Sequence, residues 1–236
     1  MVDAIFFDCD GVLVDTEPVH YRAFLEVLQP YGIYFDYSLY EEKYIGFDDR
    51  DAFIEIFKRA MKPLSSKELK DLITLKNKAL KRAVSRELKV FDGVVEFIKA
   101  LDQAKTPMAV VSGSLRDEIE LFLKSAGIIN FFRFIVAADD VSRSKPDPQS
   151  YETAFVKMEA VLGKRLERHR CIVFEDTPSG IASAKGAGLT VVAVAHTLPV
   201  AELADADIVI ESFKNFYPRD LMKAIKHISK ETGNVV

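Results

Sequence analysis

Asp8-Cys9-Asp10-Gly11-Val12-Leu13-Val14-Asp15-Thr16-Glu17 is the stretch that decides the reading of this chain. It follows Ala4-Ile5-Phe6-Phe7, a short apolar run with the look of a buried strand. Along a strand or its extended exit, residues i and i+2 point the same way. Asp8 and Asp10 therefore aim two carboxylates at one spot, just past the carboxyl end of a core strand. In open α/β sheets that is where ligands bind. Gly11 permits the sharp backbone departure that follows. Two neighbouring carboxylates repel unless a cation or a shared proton relieves them, so a metal-assisted site is the first expectation.

An Asp-Gly turn closing a hairpin would need a second alternating strand, and none follows. Instead, Asp15-Thr16-Glu17-Pro18 carries the cap candidate and proline of a helix start. The wider composition fits a binding loop on a globular core. The chain has 236 residues, 49% of them hydrophobic, and a formal charge of −4 from 32 basic and 36 acidic residues. That length suffices for one large core with a smaller attached domain. The charge gives no basic footprint for nucleic acid. No apolar run reaches membrane-spanning length and no leader precedes the first strand, so neither membrane nor nucleic acid is expected as a partner. Cys9 and Cys171 cannot build a disulfide framework and read as small buried hydrophobes. A cytoplasmic, monomeric protein is the expectation.

Apolar strand candidates recur at Ala4–Phe7, Met108–Val111, Phe134–Ala138, Ile172–Phe174, Val191–Val194 and Ile208–Ile210. From Phe91 onward they alternate with helical patterns, such as Glu96 to Leu101 and Ile119 to Leu123. This alternation predicts an α/β fold, a Rossmann-like doubly wound parallel sheet core. From about Val19 to Leu88 the spacing is helical throughout, as in Phe24-Leu25…Leu28 and Phe53-Ile54…Phe57. The expected organisation is a catalytic core of residues 1–16 and 89–236 with an inserted all-helical cap domain, 17–88, acting as a lid. Helices packed directly on the sheet would leave the first strand an unusually long crossover to its parallel neighbour.

Two later strand ends and one helix start add polar groups. Met108–Val111 runs into Ser112-Gly113-Ser114, where Ser112 could donate to an anion. Ser114, with Asp117 three positions on, fits a helix N-cap. In Ser144-Lys145-Pro146-Asp147-Pro148, Pro148 reads as a first helical residue, Asp147 as its cap, and Lys145 as the cation that two carboxylates need. Ile172-Val173-Phe174-Glu175-Asp176-Thr177-Pro178 is a strand ending in acid, followed by a Thr cap and first-turn proline. Hard oxygen donors from Asp8, Asp10 and Glu175 or Asp176 suit Mg2+ better than a soft metal.

Asp8-x-Asp10-Gly11-x-x-x-Asp15-Thr16, then Ser112-Gly113, Lys145-Pro146 and Glu175-Asp176, resemble in order and strand context the motifs of the haloacid dehalogenase superfamily. The resemblance spans essentially the whole chain and is strongest to the phosphatase and β-phosphoglucomutase-like branch with a helical cap. It implies Asp8 as the nucleophile that forms an aspartyl-phosphate, and Asp10 as the general acid that then activates water. It implies Mg2+ held by Asp8, the Asp10 carbonyl, Glu175 and Asp176. Ser112, Gly113, Lys145 and Thr16 are the phosphate-binding candidates. The dehalogenase and phosphonate-cleaving branches lack an aspartate two positions after the nucleophile, so Asp10 argues against both. The implied activity is Mg2+-dependent hydrolysis of small phosphorylated metabolites, sugar or polyol monophosphates, with a β-phosphoglucomutase-like mutase as the alternative. A protein that kept the fold but only senses a metabolite would not need all four site groups.

Substrate choice in this family comes from the cap, where the candidates are His20, Gly46, Arg50 and Lys76. Lys76 also reads as one member of a solvated face with Lys78 and Lys81. Asp48 fits a cap for the helix containing Phe53. The mutases of the family carry an arginine three residues after the cap-loop glycine. Asp49 stands at that position here, with Arg50 next to it.

Overall fold

A computed structural model describes residues 2–45 and 47–231, excepting the side chains of 226–231. Gly46 lies outside the described residues. The chain divides into two compact units, Met1–Asp15 with Lys89–Val236, and Thr16–Leu88.

The first unit contains β1 (Ala4–Phe7), β2 (Val14–Asp15), β3 (Lys89–Val90), α5 (Val94–Gln103), β4 (Met108–Val111), α6 (Arg116–Ser125), β5 (Ile135–Val136), α7 (Gln149–Leu162), β6 (Cys171–Glu175), α8 (Pro178–Gly186), β7 (Thr190–Val194), β8 (Ile208–Ile210) and α9 (Pro218–Glu231). The second contains α1 (Glu17–Leu28), α2 (Tyr37–Lys43), α3 (Asp49–Arg59) and α4 (Ser66–Glu87). Six strands form one sheet in the order β5-β4-β1-β6-β7-β8, every pairing parallel.

The strands read as continuous apolar runs because both faces are covered. Ala4 and Phe6 face a core with Tyr151 and Met158 of α7 and Ile181 of α8. Their alternate, Phe7, faces an aromatic cluster on the other side. It stacks on Phe174 at 5.0 Å between centroids, and Phe97 of α5 meets Phe174 edge-on at 5.4 Å. The register Phe6↔Val173 and Phe7↔Phe174 keeps the two faces distinct across β1 and β6. The chain moves outward from β1 to β4 and β5, then returns to β6 on the other side of β1. The order reverses at β1, and ligands of such sheets bind at that reversal, beyond the carboxyl ends.

The structure shortens the expected Phe134–Ala138 strand to Ile135–Val136, an edge strand bonded only to β4. It also adds a two-stranded antiparallel ribbon that no periodicity announces, Val14↔Val90 and Asp15↔Lys89. No described helix is long and apolar enough to cross a membrane.

Local chemistry sets the helical unit. Ser65 and Glu68 close a capping box at α4, and Asp48 accepts from the Asp51 N–H at 2.8 Å to cap α3, as expected. Phe24 and Phe53 pack edge-on at 5.1 Å in its core.

The Phe7–Phe174 stack joins the two central strands, and both rings are fully buried. Phe174→Ala is expected to cost about 3–5 kcal/mol, read from urea unfolding with an unchanged m-value. A loss below about 1 kcal/mol would show that the aromatic face contributes little.

Candidate active site

The sheet delivers the site by extending its ladders one residue. The Asp8 N–H donates to the Phe174 carbonyl at 3.0 Å, and the Ser112 N–H to the Val136 carbonyl at 3.0 Å. Asp8, Ser112 and Glu175 thus leave β1, β4 and β6 at the same edge. Gly11, at φ +73°, turns the loop back so that its N–H bonds the Val14 carbonyl at 3.0 Å.

Asp8, Glu175 and Asp176 each offer a carboxylate oxygen, all within 4.8 Å of one another. Lys145 is the counter-charge, with its ammonium 2.6 Å from Glu175 Oε1 and 3.1 Å from Asp8 Oδ1. It also donates to the Val111 carbonyl at 3.2 Å. The Tyr151 hydroxyl donates to the same Glu175 oxygen at 2.8 Å. Glu175 Oε2 accepts from the Asp176 N–H at 3.1 Å and the Thr177 hydroxyl at 3.3 Å. A Cβ on Gly180 would stand within about 2 Å of that carboxylate, so only glycine leaves it room.

Asp10 has different company. Its Oδ2 accepts from the Ser114 hydroxyl at 2.7 Å and the Ser112 hydroxyl at 3.3 Å. Ser114 is therefore not the cap of α6; that position is Leu115, which offers no side-chain cap. The serine turns toward the aspartate because an acceptor stands there, and the Arg116 N–H finds Asp139 instead at 3.1 Å. Pro148 is the N-cap of α7 rather than its first residue, although Asp147 still accepts from the Gln149 N–H at 3.0 Å. Thr177 caps α8 through the Gly180 N–H, as expected.

Burial pushes the Asp8 carboxyl well above its ordinary range; Lys145 opposes this, while Glu175, Asp176 and Asp10 add to it. Asp176 is pushed up to about 7 by burial and Glu175, against the Thr197 hydrogen bond. For Lys145, burial favours the neutral amine, but Asp8 and Glu175 outweigh it and raise the pKa. With all three carboxylates ionised, one ammonium leaves two negative charges uncompensated. Asp176 Oδ1 is buried without a hydrogen-bond partner, and Asp8 Oδ1 is met by the Lys145 ammonium, which it shares with Glu175. An orphaned hard oxygen beside a double charge deficit fits a divalent cation.

In the helical unit, Lys76 is 0% exposed, which overturns the solvated-face reading. Its ammonium lies 2.5 Å from Asp49 Oδ1, 2.8 Å from His20 Nδ1 and over the Phe24 ring. Burial, then Lys76, holds His20 well below its ordinary pKa, so the ring is neutral. Arg50 is exposed on α3. Thr16 belongs to this unit, and its side chain makes no capping bond to α1. Lys76 and His20 are brought together, and the His20 N–H donates to the Thr16 carbonyl at 3.0 Å. Gly113 has open space around its Cα.

Two groups at the sheet edge escape the sequence reading. The Thr197 hydroxyl donates to Asp176 Oδ2 at 2.5 Å, and His196 Nδ1 lies 3.1 Å from the Gly11 carbonyl. Their only sequence signal is a polar pair just past the β7 strand end.

The chain belongs to the haloacid dehalogenase-like hydrolases, a family that matches residues 5–194. It is 30% identical over 215 residues to the validoxylamine A 7′-phosphate phosphatase of Streptomyces hygroscopicus subsp. limoneus, covering 89% of this chain and 94% of that one. To the phosphorylated carbohydrates phosphatase of Thermotoga maritima it is 29% identical over 202 residues, with 84% and 87% covered. In fold it matches the crystal structure of CbbY from Rhodobacter sphaeroides in complex with phosphate, with a TM-score of 0.79 at 24% identity, covering 94% of this chain and all of that one.

The raised carboxyl pKa values give a signed pH dependence. Between about pH 4 and 7 the unfolded chain has lost the protons that the folded metal-free site retains, so metal-free stability falls as pH rises through this window. A divalent cation competes with those protons. Its stabilisation, read as the shift in Tm on saturation, is expected to be larger at pH 8 than at pH 5.5. An equal shift at both pH values would contradict the assignment.

Proposed function

We propose that this protein is a Mg2+-dependent phosphatase that hydrolyses small phosphorylated metabolites, sugar or polyol monophosphates, through an aspartyl-phosphate on Asp8. One observation carries the reading: two aspartates two residues apart have different hydrogen-bond and ion-pair partners. Asp8 lies among Lys145 and the acidic cluster, whereas Asp10 is held by two neutral hydroxyls. A nucleophile needs a cation beside the phosphoryl group it attacks; a proton donor needs its carboxyl held in a fixed orientation.

Asp8, Asp176 and the Asp10 carbonyl are the Mg2+ ligands in this reading, with Glu175 behind them. When bound, the cation supplies charge to the phosphoryl oxygens and offsets the carboxylate repulsion. Lys145 holds the same phosphoryl group from the other side and orients Asp8, while Ser112 and Gly113 line the edge beside it. An Asp8 carboxylate oxygen forms a bond to phosphorus as the ester P–O bond breaks, and Asp10 gives its proton to the leaving alkoxide. Asp10 then takes a proton from water, whose oxygen attacks phosphorus. The Asp8–phosphorus bond breaks and inorganic phosphate leaves. Ser112 and Ser114 hold the Asp10 carboxyl in one orientation through both proton transfers.

The helical unit is the cap that selects the substrate, with His20 and Arg50 as its polar candidates and Gly46 a candidate on motif position alone; Thr16 is a phosphate-binding candidate on the same ground. A mutase needs a cation for the phosphate that is not reacting. Lys76 is the buried cation of this unit, and Asp49 neutralises it. The two relatives named above act, by name, on phosphorylated carbohydrates and on validoxylamine A 7′-phosphate, which supports a hydroxyl-rich monophosphate here. The buried free thiols of Cys9 and Cys171 suit a reducing cytoplasm, where the protein would work as a monomer.

Asp8→Asn is expected to abolish phosphate release with the fold intact by circular dichroism. Asp10→Asn should lower kcat roughly 10²–10⁴-fold, the usual worth of general acid–base catalysis. Wild-type turnover in either variant is incompatible with the roles given.

A panel of phosphorylated metabolites assayed with Mg2+ should find sugar or polyol monophosphates preferred, and exhaustive chelation should remove the activity. β-Glucose 1-phosphate with a trace of its 1,6-bisphosphate separates the alternative. Inorganic phosphate is expected to accumulate; glucose 6-phosphate appearing well ahead of it would identify a mutase.

A further inference from the structure

Of the two oxygens of Asp176, one is closed off by the protein. Oδ2 accepts the Thr197 hydroxyl at 2.5 Å, and a Cβ on Gly11 would lie 1.9 Å from that oxygen and 2.7 Å from the hydroxyl, so only glycine leaves room for this contact. Oδ1 is buried without a partner. The segment that brings Thr197 here is firmly held. Ala195 N–H bonds the Ile210 carbonyl at 2.9 Å, continuing the β7–β8 ladder. His196 stacks on Phe91 at 3.9 Å and meets the Gly11 carbonyl through Nδ1 at 3.1 Å. Gly11, Asp176 and Thr197 therefore form one rigid bracket.

We propose that Thr197 is a positioning residue that leaves Asp176 a single oxygen for the cation and so favours Mg2+ over Ca2+. The proposal rests on Asp176 being a cation ligand. Ca2+ takes six to eight oxygens and gains from carboxylates that bind through both; Mg2+ wants six at about 2.0–2.1 Å, and one oxygen per carboxylate suits it. A hydroxyl fixed on Oδ2 denies Ca2+ the two-oxygen mode. It also aligns Oδ1, as partners behind a metal ligand commonly do. Loss of the hydroxyl lets the carboxylate rotate, which costs the small cation its alignment and gives the large one a second oxygen.

Calorimetric titration of Mg2+ and, separately, Ca2+ into metal-free protein tests this in wild type, Thr197→Val, Thr197→Ser and Asp176→Asn. Thr197→Val is expected to bind Mg2+ about 10-fold more weakly. Its Ca2+ affinity should hold or rise, so the Mg2+/Ca2+ affinity ratio falls at least about 10-fold. Thr197→Ser, which keeps the hydroxyl, should stay near the wild-type ratio. Melting of the metal-free proteins checks the fold, and Thr197→Ala reads the same ratio if the valine variant does not fold. An unchanged ratio in the hydroxyl-free variant, with Mg2+ binding lost in Asp176→Asn, overturns the role of Thr197 alone. Mg2+ binding to Asp176→Asn at wild-type strength instead removes the ligand assignment, and the proposal with it.

Discussion

Glu175 has no contact with water, yet its carboxylate organises the whole carboxyl edge of the sheet. Its two oxygens are shared among the Lys145 ammonium, the Tyr151 hydroxyl, the Asp176 N–H and the Thr177 hydroxyl. A buried charge is tolerable only with such full pairing, and loss of one partner leaves the other stranded at a cost of about 3–5 kcal/mol. Because Glu175 anchors Lys145, the ammonium reaches Asp8. Because Oε2 takes the Asp176 N–H, the next residue turns its own carboxylate outward. Gly180 is small for the same reason: the first turn of α8 has to pass over this carboxylate.

The acidic cluster is therefore less symmetrical than three carboxylates within 4.8 Å suggest. Glu175 is satisfied by protein, whereas Asp176 keeps an oxygen with no hydrogen-bond partner and Asp8 has to share the Lys145 ammonium with Glu175. The demand for a cation comes from those two. Asp10, two residues from Asp8, spends its Oδ2 on serine hydroxyls and adds no side-chain oxygen to the cluster. Strand geometry aims both aspartates the same way, and the serines leaving β4 and the lysine ahead of α7 then give them different partners.

The doubly wound core was legible because a parallel sheet covered on both faces writes each strand as an unbroken apolar run. The edge strand β5 was misjudged in length because it has one bonded neighbour, and apolar residues continue past the last ladder bond. Asp8 and Asp176 were readable as acids at strand ends, and Lys145 as the cation that neighbouring carboxylates need. Thr197 was not, since it lies beyond β7 in a stretch whose residues differ little from an ordinary loop. Ser114 looked like a cap because serine before a helix so often is one; the competing acceptor, Asp10, is about a hundred residues away in sequence. Lys76 was lost in a charged run, although Leu72, Lys76, Leu80 and Val84 recur every fourth residue and are all buried. Its partner Asp49 comes from another helix, which helical spacing on α4 could not supply.

The short ribbon of Val14–Asp15 with Lys89–Val90 has a bearing on how such a protein diversifies. The chain leaves the sheet-bearing unit after Asp15 and re-enters it at Lys89, and these two residues are paired partners, with their side chains 3.7 Å apart as an ion pair. To the sheet, everything between them is a single long loop whose two ends are already fastened together. The entropy of closing that loop is met by the ribbon itself, whatever the loop contains. The inserted helices can thus lengthen, shrink or be exchanged while the register of β1 against β4 and β6 stays as it is. The helices and the sheet can then change at separate rates, with one pair of hydrogen-bonded residues as the seam between them.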